Sequence, residues 1–207
     1  ANETAIQEQV QMLSNAINKN PSAIVLASLD TESQIDLLNQ ASDSNIPIIG
    51  FDSGVPNAPE GSIAANASTD NYAAATIGAE KIFEALEAEI SGATKEKPVR
   101  IGVLSQEVNS QSITDRTNGF IDKMVELASS VDGLKDSVAV VGHSKFANGV
   151  SEGDAAVIID LQVPAQMTDA AGQTTGQTLL NKNDTIAVFG SNEFAAKGLI
   201  NANNSVG

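Results

Sequence analysis

Apolar positions Ile6, Val10, Leu13 and Ile17 recur at the spacing of one helix face, and "AIVLAS" at 23–28 follows as a short unbroken apolar run. The pattern predicts a helix and then a strand buried on both faces. Thr31 and Gln34 form a capping-box pattern ahead of Ile35, Leu38 and Ala41, after which Pro47 leads into "IIGF". A second helix and a second strand are therefore expected. A helix from Asn71 to Ile90 carries Ala75, Ala79, Ile82, Leu86 and Ile90 on one face, and the polar "SGATKEKP" separates it from the strand "VRIGVLS". From Ser110 onward, Ile113, Phe120, Met124 and Leu127 fall at helical intervals. "SVAVVG" and "AAVIIDLQV" read as strands joined by the turn-rich "HSKFANGVSEGD", an arrangement compatible with a hairpin. A helix over 168–181, a strand over 185–190 and a helix over 192–203 complete the pattern.

Strands alternating with helices predict an α/β fold of parallel sheet with helices on both faces, in which ligands are met at the carboxyl ends of the strands. Asp52 stands at such an end, in "IPIIGFDSGVP". A buried strand is a rigid support that can hold a carboxylate at the mouth of a crevice; Asp also opens turns such as "DSGVP", and both readings stay open at this point. The residues after the other strands are of similar kind: Ser28 and Asp30, Gln106 and Glu107, Gln166 to Asp169, and Ser191 to Glu193. Hydroxyls, amides and carboxylates suit a polyhydroxylated ligand, because each sugar hydroxyl donates one hydrogen bond and accepts others. Helix N-capping draws on the same residue types.

Composition removes other classes. The 207 residues are 42% hydrophobic, long enough for a sizeable core, and no apolar run approaches the length of a membrane span. The formal charge of -15 repels phosphate backbones and anionic lipid, so no nucleic-acid partner is expected. With no cysteine there is no disulfide or thiol chemistry, and the single histidine, His143, cannot form a triad or metal cluster by itself. Glycine-rich phosphate loops are missing, so neither cofactor nor metal is expected. An enzyme would need an acid and a base placed together, and isolated acids at strand ends do not supply them. The opening "ANETAIQEQV" has no basic and apolar leader pattern, so no targeting segment is expected within the chain.

The segments "IPIIGFDSG" and "IAVFGSNEFAAKGLINA" resemble matching elements of the type I periplasmic sugar-binding proteins, the ribose-binding-protein-like solute receptors of ABC transporters. "NPSAIVLASLD", "ASTDNYAAATIGAEKI", "SITDRTNGF" and "VPAQMTDAAGQ" agree in the family's order along nearly the whole chain. The resemblance implies two Rossmann-like parallel-sheet lobes, over 1–69 and 70–207, both incomplete, joined by a three-segment hinge and closing on a sugar. It implies that Asp52 accepts sugar hydroxyls, that Arg116 donates to sugar oxygens, and that Asn192 is an amide ligand. Ser28 completes the candidate set at the end of the first strand. Met167 stands where such receptors place an aromatic that stacks on the sugar, and Ser53 where an arginine often follows the acid; both are departures.

What the resemblance implies about function is a solute receptor without chemistry of its own. Its partners would be a small-molecule sugar and the membrane subunits of an ABC permease. Its location would be extracytoplasmic, either periplasmic or as a lipoprotein anchored on the outer face. Lac-repressor-type transcription regulators share the same ligand core. The long acidic spacer in "KIFEALEAEISGATKEKPVRIGVL", in place of their short basic link, and the negative charge favour the receptor. Matched to the family, the chain starts inside the second helix of the first lobe and stops before a later second-lobe strand, and 133–155 resembles an insertion. The expectation is an internal fragment that binds sugar poorly alone.

Overall fold

The computed structural model describes residues 3–206. They form two compact units: one comprises the residues through Asn71 together with Glu107–Thr114, the other Tyr72–Gln106 and Asp115 onward. In the first unit, helix α1 (Glu3–Ile17), strand β1 (Ile24–Leu26), helix α2 (Ile35–Asp43) and strands β2 (Ile48–Phe51) and β3 (Ile63–Ala67) follow in order. The strands form one sheet, β1-β2-β3, paired in parallel throughout. Leu13 and Ile17 from α1 and Leu38 and Ala41 from α2 pack on Leu26 and Ile48. A fully buried side chain such as Ile48 contributes about 1.5–3 kcal/mol.

Two expectations for this unit are corrected, and one strand was not expected. β1 is not buried on both faces: Val25 is 65% exposed and Phe51 on β2 is 45% exposed, since the core gathers on the opposite side of the pleat. β3 carries no signal in sequence, because "IAANA" has one large apolar residue and is otherwise exposed; its ladder with β2 is the evidence for it. Gln34 does not act as a capping-box partner, having no side-chain cap bond. It is fully buried, donates to Gln9 Oε1 at 2.6 Å and accepts from the Ser28 hydroxyl. The turn into α2 is held instead by Asp30 Oδ1, which accepts the N–H groups of Glu32 at 2.9 Å and Ser33 at 2.6 Å.

The second unit contains helix α3 (Asn71–Ser91) from Tyr72 onward, strand β4 (Val99–Leu104), helix α4 (Gln111–Ser129) from Asp115 onward, strand β5 (Val138–Val141), a 3₁₀ turn at Glu152–Asp154, strand β6 (Val157–Gln162), helix α5 (Asp169–Leu180), strand β7 (Thr185–Gly190) and helix α6 (Glu193–Val206). Its sheet has the order β5-β6-β4-β7, again parallel throughout. The hairpin reading of β5 and β6 is thereby corrected: they are neighbours but run the same way, with Val138 opposite Val157. The connection over 142–156 is long enough for the return that parallel pairing requires. Within it, the Asn148 side chain donates to Val138 O at 2.9 Å and accepts from Val140 N at 3.0 Å, so one amide occupies part of the outer edge of β5.

Ile101 and Val103 of β4 and Ile159 and Leu161 of β6 meet Ala79, Ile90, Phe120 and Met124 from α3 and α4. Phe120 stacks on Phe189 of β7 with ring centroids 4.0 Å apart. Leu104, Leu179, Ala195 and Leu199 form a second cluster where α5 and α6 cover the sheet. Those helices approach so closely that a Cβ on Gly198 would lie 2.9 Å from the backbone of Gly172, which excludes any larger residue there.

The face that bears Gly102 also carries a charged cluster that sequence reasoning missed. Arg100, 4% exposed, donates to Asp160 at 2.9 Å, to both oxygens of Asp184 at 2.9 and 3.0 Å and to Glu152 at 2.5 Å, and Lys182 also pairs with Asp160. Burial alone would raise the Asp160 carboxyl, but hydrogen bonds from Lys182 and Gln162 and the positive charges of Lys182 and Arg100 outweigh it and hold it below the usual carboxylate range. The folded state thus takes up that proton less readily than the unfolded chain. The stabilisation is complete above the unfolded carboxylate range and is lost as pH falls through the lower folded value. Arg100→Met is expected to cost about 3 kcal/mol in urea unfolding at pH 7, by leaving buried carboxylates short of a partner. Asp160→Asn is expected to flatten the loss of stability on the acid side; an unchanged acid limb would show that Asp160 does not contribute to it.

Candidate functional site

Parallel pairing brings the carboxyl ends of β1, β2 and β3 to one edge of the first unit. Ser28 lies there, buried, with its N–H donating to Ser53 O at 3.1 Å. Its hydroxyl faces Asp30 O at 2.6 Å and the Gln34 amide oxygen, so this candidate is engaged within the fold. Asp52 differs. Its N–H donates to Ala67 O at 3.0 Å, joining the end of β2 to the end of β3, and its φ is 57°, in the left-handed region. The Ser53 N–H donates back to Phe51 O at 2.6 Å, closing a tight turn around Asp52. The side chain is exposed, and among the described residues the carboxylate has no hydrogen-bond or ion-pair partner. Ser53 is buried and its hydroxyl accepts the Ser112 N–H at 3.3 Å. Asp52 therefore opens a turn and also presents an unengaged acceptor, so the two sequence readings are compatible.

Two other acids near strand ends are occupied. Asp30 holds the turn into α2. Glu107, 5% exposed, accepts the N–H groups of Asn109 at 2.5 Å and Ser110 at 3.0 Å and the Ser110 hydroxyl at 2.5 Å, holding the turn that leads into α4.

In the second unit, β4 and β7 end side by side. Ser105 N–H donates to Gln162 O and Ser191 N–H to Leu104 O, both at 3.0 Å, which extends the ladder past the strands. Beneath that edge three buried hydroxyls meet: Ser105 Oγ lies 3.1 Å from Thr117 Oγ1 of α4, and Ser191 Oγ donates to Ser105 Oγ at 3.3 Å. Each is the chain neighbour of a polar candidate, namely Gln106, Arg116 and Asn192. Asn192 Oδ1 accepts the Ala195 N–H at 3.0 Å and so caps α6, while its Nδ2 donates to Gln106 Oε1 at 2.6 Å. Arg116 is half-buried on α4. Met167 is 47% exposed in the turn after β6, just before Thr168 caps α5, and is not a core residue. The structure thus brings Asn192 together with Gln106, a residue of the strand-end inventory that the resemblance did not single out. His143 has a local role: its Nδ1 accepts the Lys145 N–H at 3.2 Å and its ring meets Phe146 edge-on.

Comparison with known proteins decides the family. The periplasmic binding protein domain matches residues 1–207. The chain belongs to this family. Among solved structures, this periplasmic binding protein domain is similar to an ABC transporter, LacI family transcriptional regulator from Brachyspira murdochii, at 30% identity and a TM-score of 0.70 over 96% of this chain and 56% of that one. It is similar in fold to an ABC transporter solute binding protein from Agrobacterium vitis with bound D-fucose, at 24% identity and a TM-score of 0.73 over 100% and 59% of the two chains. It is also similar in fold to a carbohydrate transporter solute binding protein from Agrobacterium radiobacter in complex with D-arabinose, at 23% identity and a TM-score of 0.69 over 99% and 58%. The chain spans less than two thirds of the length of each. No curated protein matches it. The fold of the domain agrees with that of these neighbours, parallel α/β sheets of the type I periplasmic binding proteins.

The left-handed turn at Asp52 can be tested apart from any ligand. Asp tolerates this region, Gly adopts it freely and a β-branched residue does not. Asp52→Gly is expected to leave the unfolding midpoint unchanged or raised, and Asp52→Val to lower stability by about 1–2 kcal/mol in denaturant titration. Equal effects of the two substitutions would contradict the turn assignment.

Proposed function

We propose that the protein is an extracytoplasmic solute-binding protein of an ABC transporter, taking a monosaccharide or similar polyhydroxylated ligand and performing no chemistry on it. The observation that carries this reading is the Asp52 carboxylate, held by a strand-end turn and unpartnered among the described residues, in a chain of the periplasmic binding protein family. The sugars named with the neighbours support it: D-fucose and α-D-tagatopyranose for two Agrobacterium vitis proteins and D-arabinose for that of Agrobacterium radiobacter. Asp52 is assigned as an acceptor of sugar hydroxyls, Arg116 and Asn192 as donors, and Met167 as an apolar contact. Ser28 supports the strand end from within. Lobes over 1–69 and 70–207, hinge closure, docking on permease subunits, and a periplasmic or lipid-anchored location belong to the same reading. Among the described residues no helix is long and apolar enough to cross a membrane.

A second reading, the ligand core of a lac-repressor-type regulator, is favoured by the name of the Brachyspira murdochii neighbour. The net charge of -15 weighs against contact with nucleic acid and so favours the receptor. Calorimetric titration of the intact protein with D-fucose, D-arabinose and D-tagatose is expected to show stoichiometric binding of at least one. Asp52→Asn and Arg116→Met are each expected to weaken it by about 2–4 kcal/mol, by leaving a charged hydrogen-bond partner unmatched. Unchanged affinity in both variants contradicts the assigned site.

A further inference from the structure

We propose that Gln106 is a ligand-contacting residue that acts as a hydrogen-bond donor, its polarity fixed by the start of helix α6. The inference rests on the sugar-binding reading above and adds a residue and a direction to it. A backbone N–H can only donate, and the Ala195 N–H donates to Asn192 Oδ1 at 3.0 Å. That fixes the Asn192 amide with Nδ2 free to donate, which it does to Gln106 Oε1 at 2.6 Å. With Oε1 occupied, Gln106 is left with Nε2, which has no partner among the described residues and is not buried. Turning the Gln106 amide over would set two NH₂ groups against each other. Turning both would set the Asn192 NH₂ against the Ala195 N–H. One orientation sets no donor against a donor.

The pair is also anchored. Gln106 and Asn192 follow Ser105 and Ser191, whose hydroxyls join each other and Thr117 in the buried layer below, so displacing the amides would disturb a satisfied buried network. With Nε2 the group left to offer, Gln106 meets an acceptor on the ligand, a lone pair of a sugar hydroxyl.

The test uses the intact protein and whichever of D-fucose, D-arabinose or D-tagatose it binds, with the monodeoxy and deoxyfluoro analogues of that sugar. Gln106→Leu is expected to weaken the parent sugar by about tenfold, and Gln106→Glu, which puts an acceptor where the donor stood, by more. On one monodeoxy analogue the loss caused by Gln106→Leu is expected to vanish. The deoxyfluoro analogue at that position, which keeps an acceptor and loses only a donor, should bind the unsubstituted protein better than the deoxy one. A merely structural Gln106 would lower the melting temperature and weaken all analogues alike. Parent-sugar affinity within about twofold in Gln106→Leu, or an equal loss on every analogue, overturns the inference and leaves the sugar-binding reading standing. If the unsubstituted protein binds none of the three sugars, that reading falls and this inference with it.

Discussion

Parallel pairing forces every strand of a sheet to finish on the same side, and much of what this chain can do follows from that constraint. Three strands in one unit and four in the other end on common edges, so residues distant in sequence become neighbours. Ser105 and Ser191 are 86 positions apart, yet their hydroxyls share a hydrogen bond because β4 and β7 are adjacent. Apolar strand interiors supply the rigidity, and the polar residues that follow them are held at a common edge.

The strand-end polar groups divide into those used by the fold and those left for another molecule. Ser28, Asp30, Ser53 and Glu107 all have internal partners, and these hold loops and helix starts in place. Asp52 has an exposed carboxylate in a left-handed turn, a conformation that a non-glycine residue adopts at some cost and that recurs at binding sites. Asn192 is engaged within the fold on both sides, its carbonyl oxygen capping a helix and its amide nitrogen orienting Gln106. The large buried charged cluster around Arg100 serves the fold alone, joining the starts of β4 and β7 to the middle of β6 and to the turn at Glu152.

The helices are legible in the sequence because an apolar face repeats over many residues: the pattern places α3 over 71–90 and it occupies Asn71–Ser91, and α5 and α6 lie within a few residues of their expected bounds. β3 is not legible, since a short strand of Ala and Asn is defined by its neighbour's ladder rather than by its own side chains. The direction of β5 relative to β6 depends on where a long loop returns, which local pattern does not encode. Arg100 sits inside an apolar strand whose pattern gives no hint that Asp160, Asp184 and Glu152 converge on it. At the candidate site, Asp52 and Asn192 are visible as polar residues after strands, whereas the Asn192–Gln106 pairing and its direction depend on the adjacency of β4 and β7.

The most direct measurement is a crystal structure of the intact protein grown with the sugar it binds. The predicted result is a sugar oxygen within hydrogen-bond distance of the Asp52 carboxylate. A sugar seated away from the carboxyl ends of the strands, with that side chain facing only solvent, would contradict it.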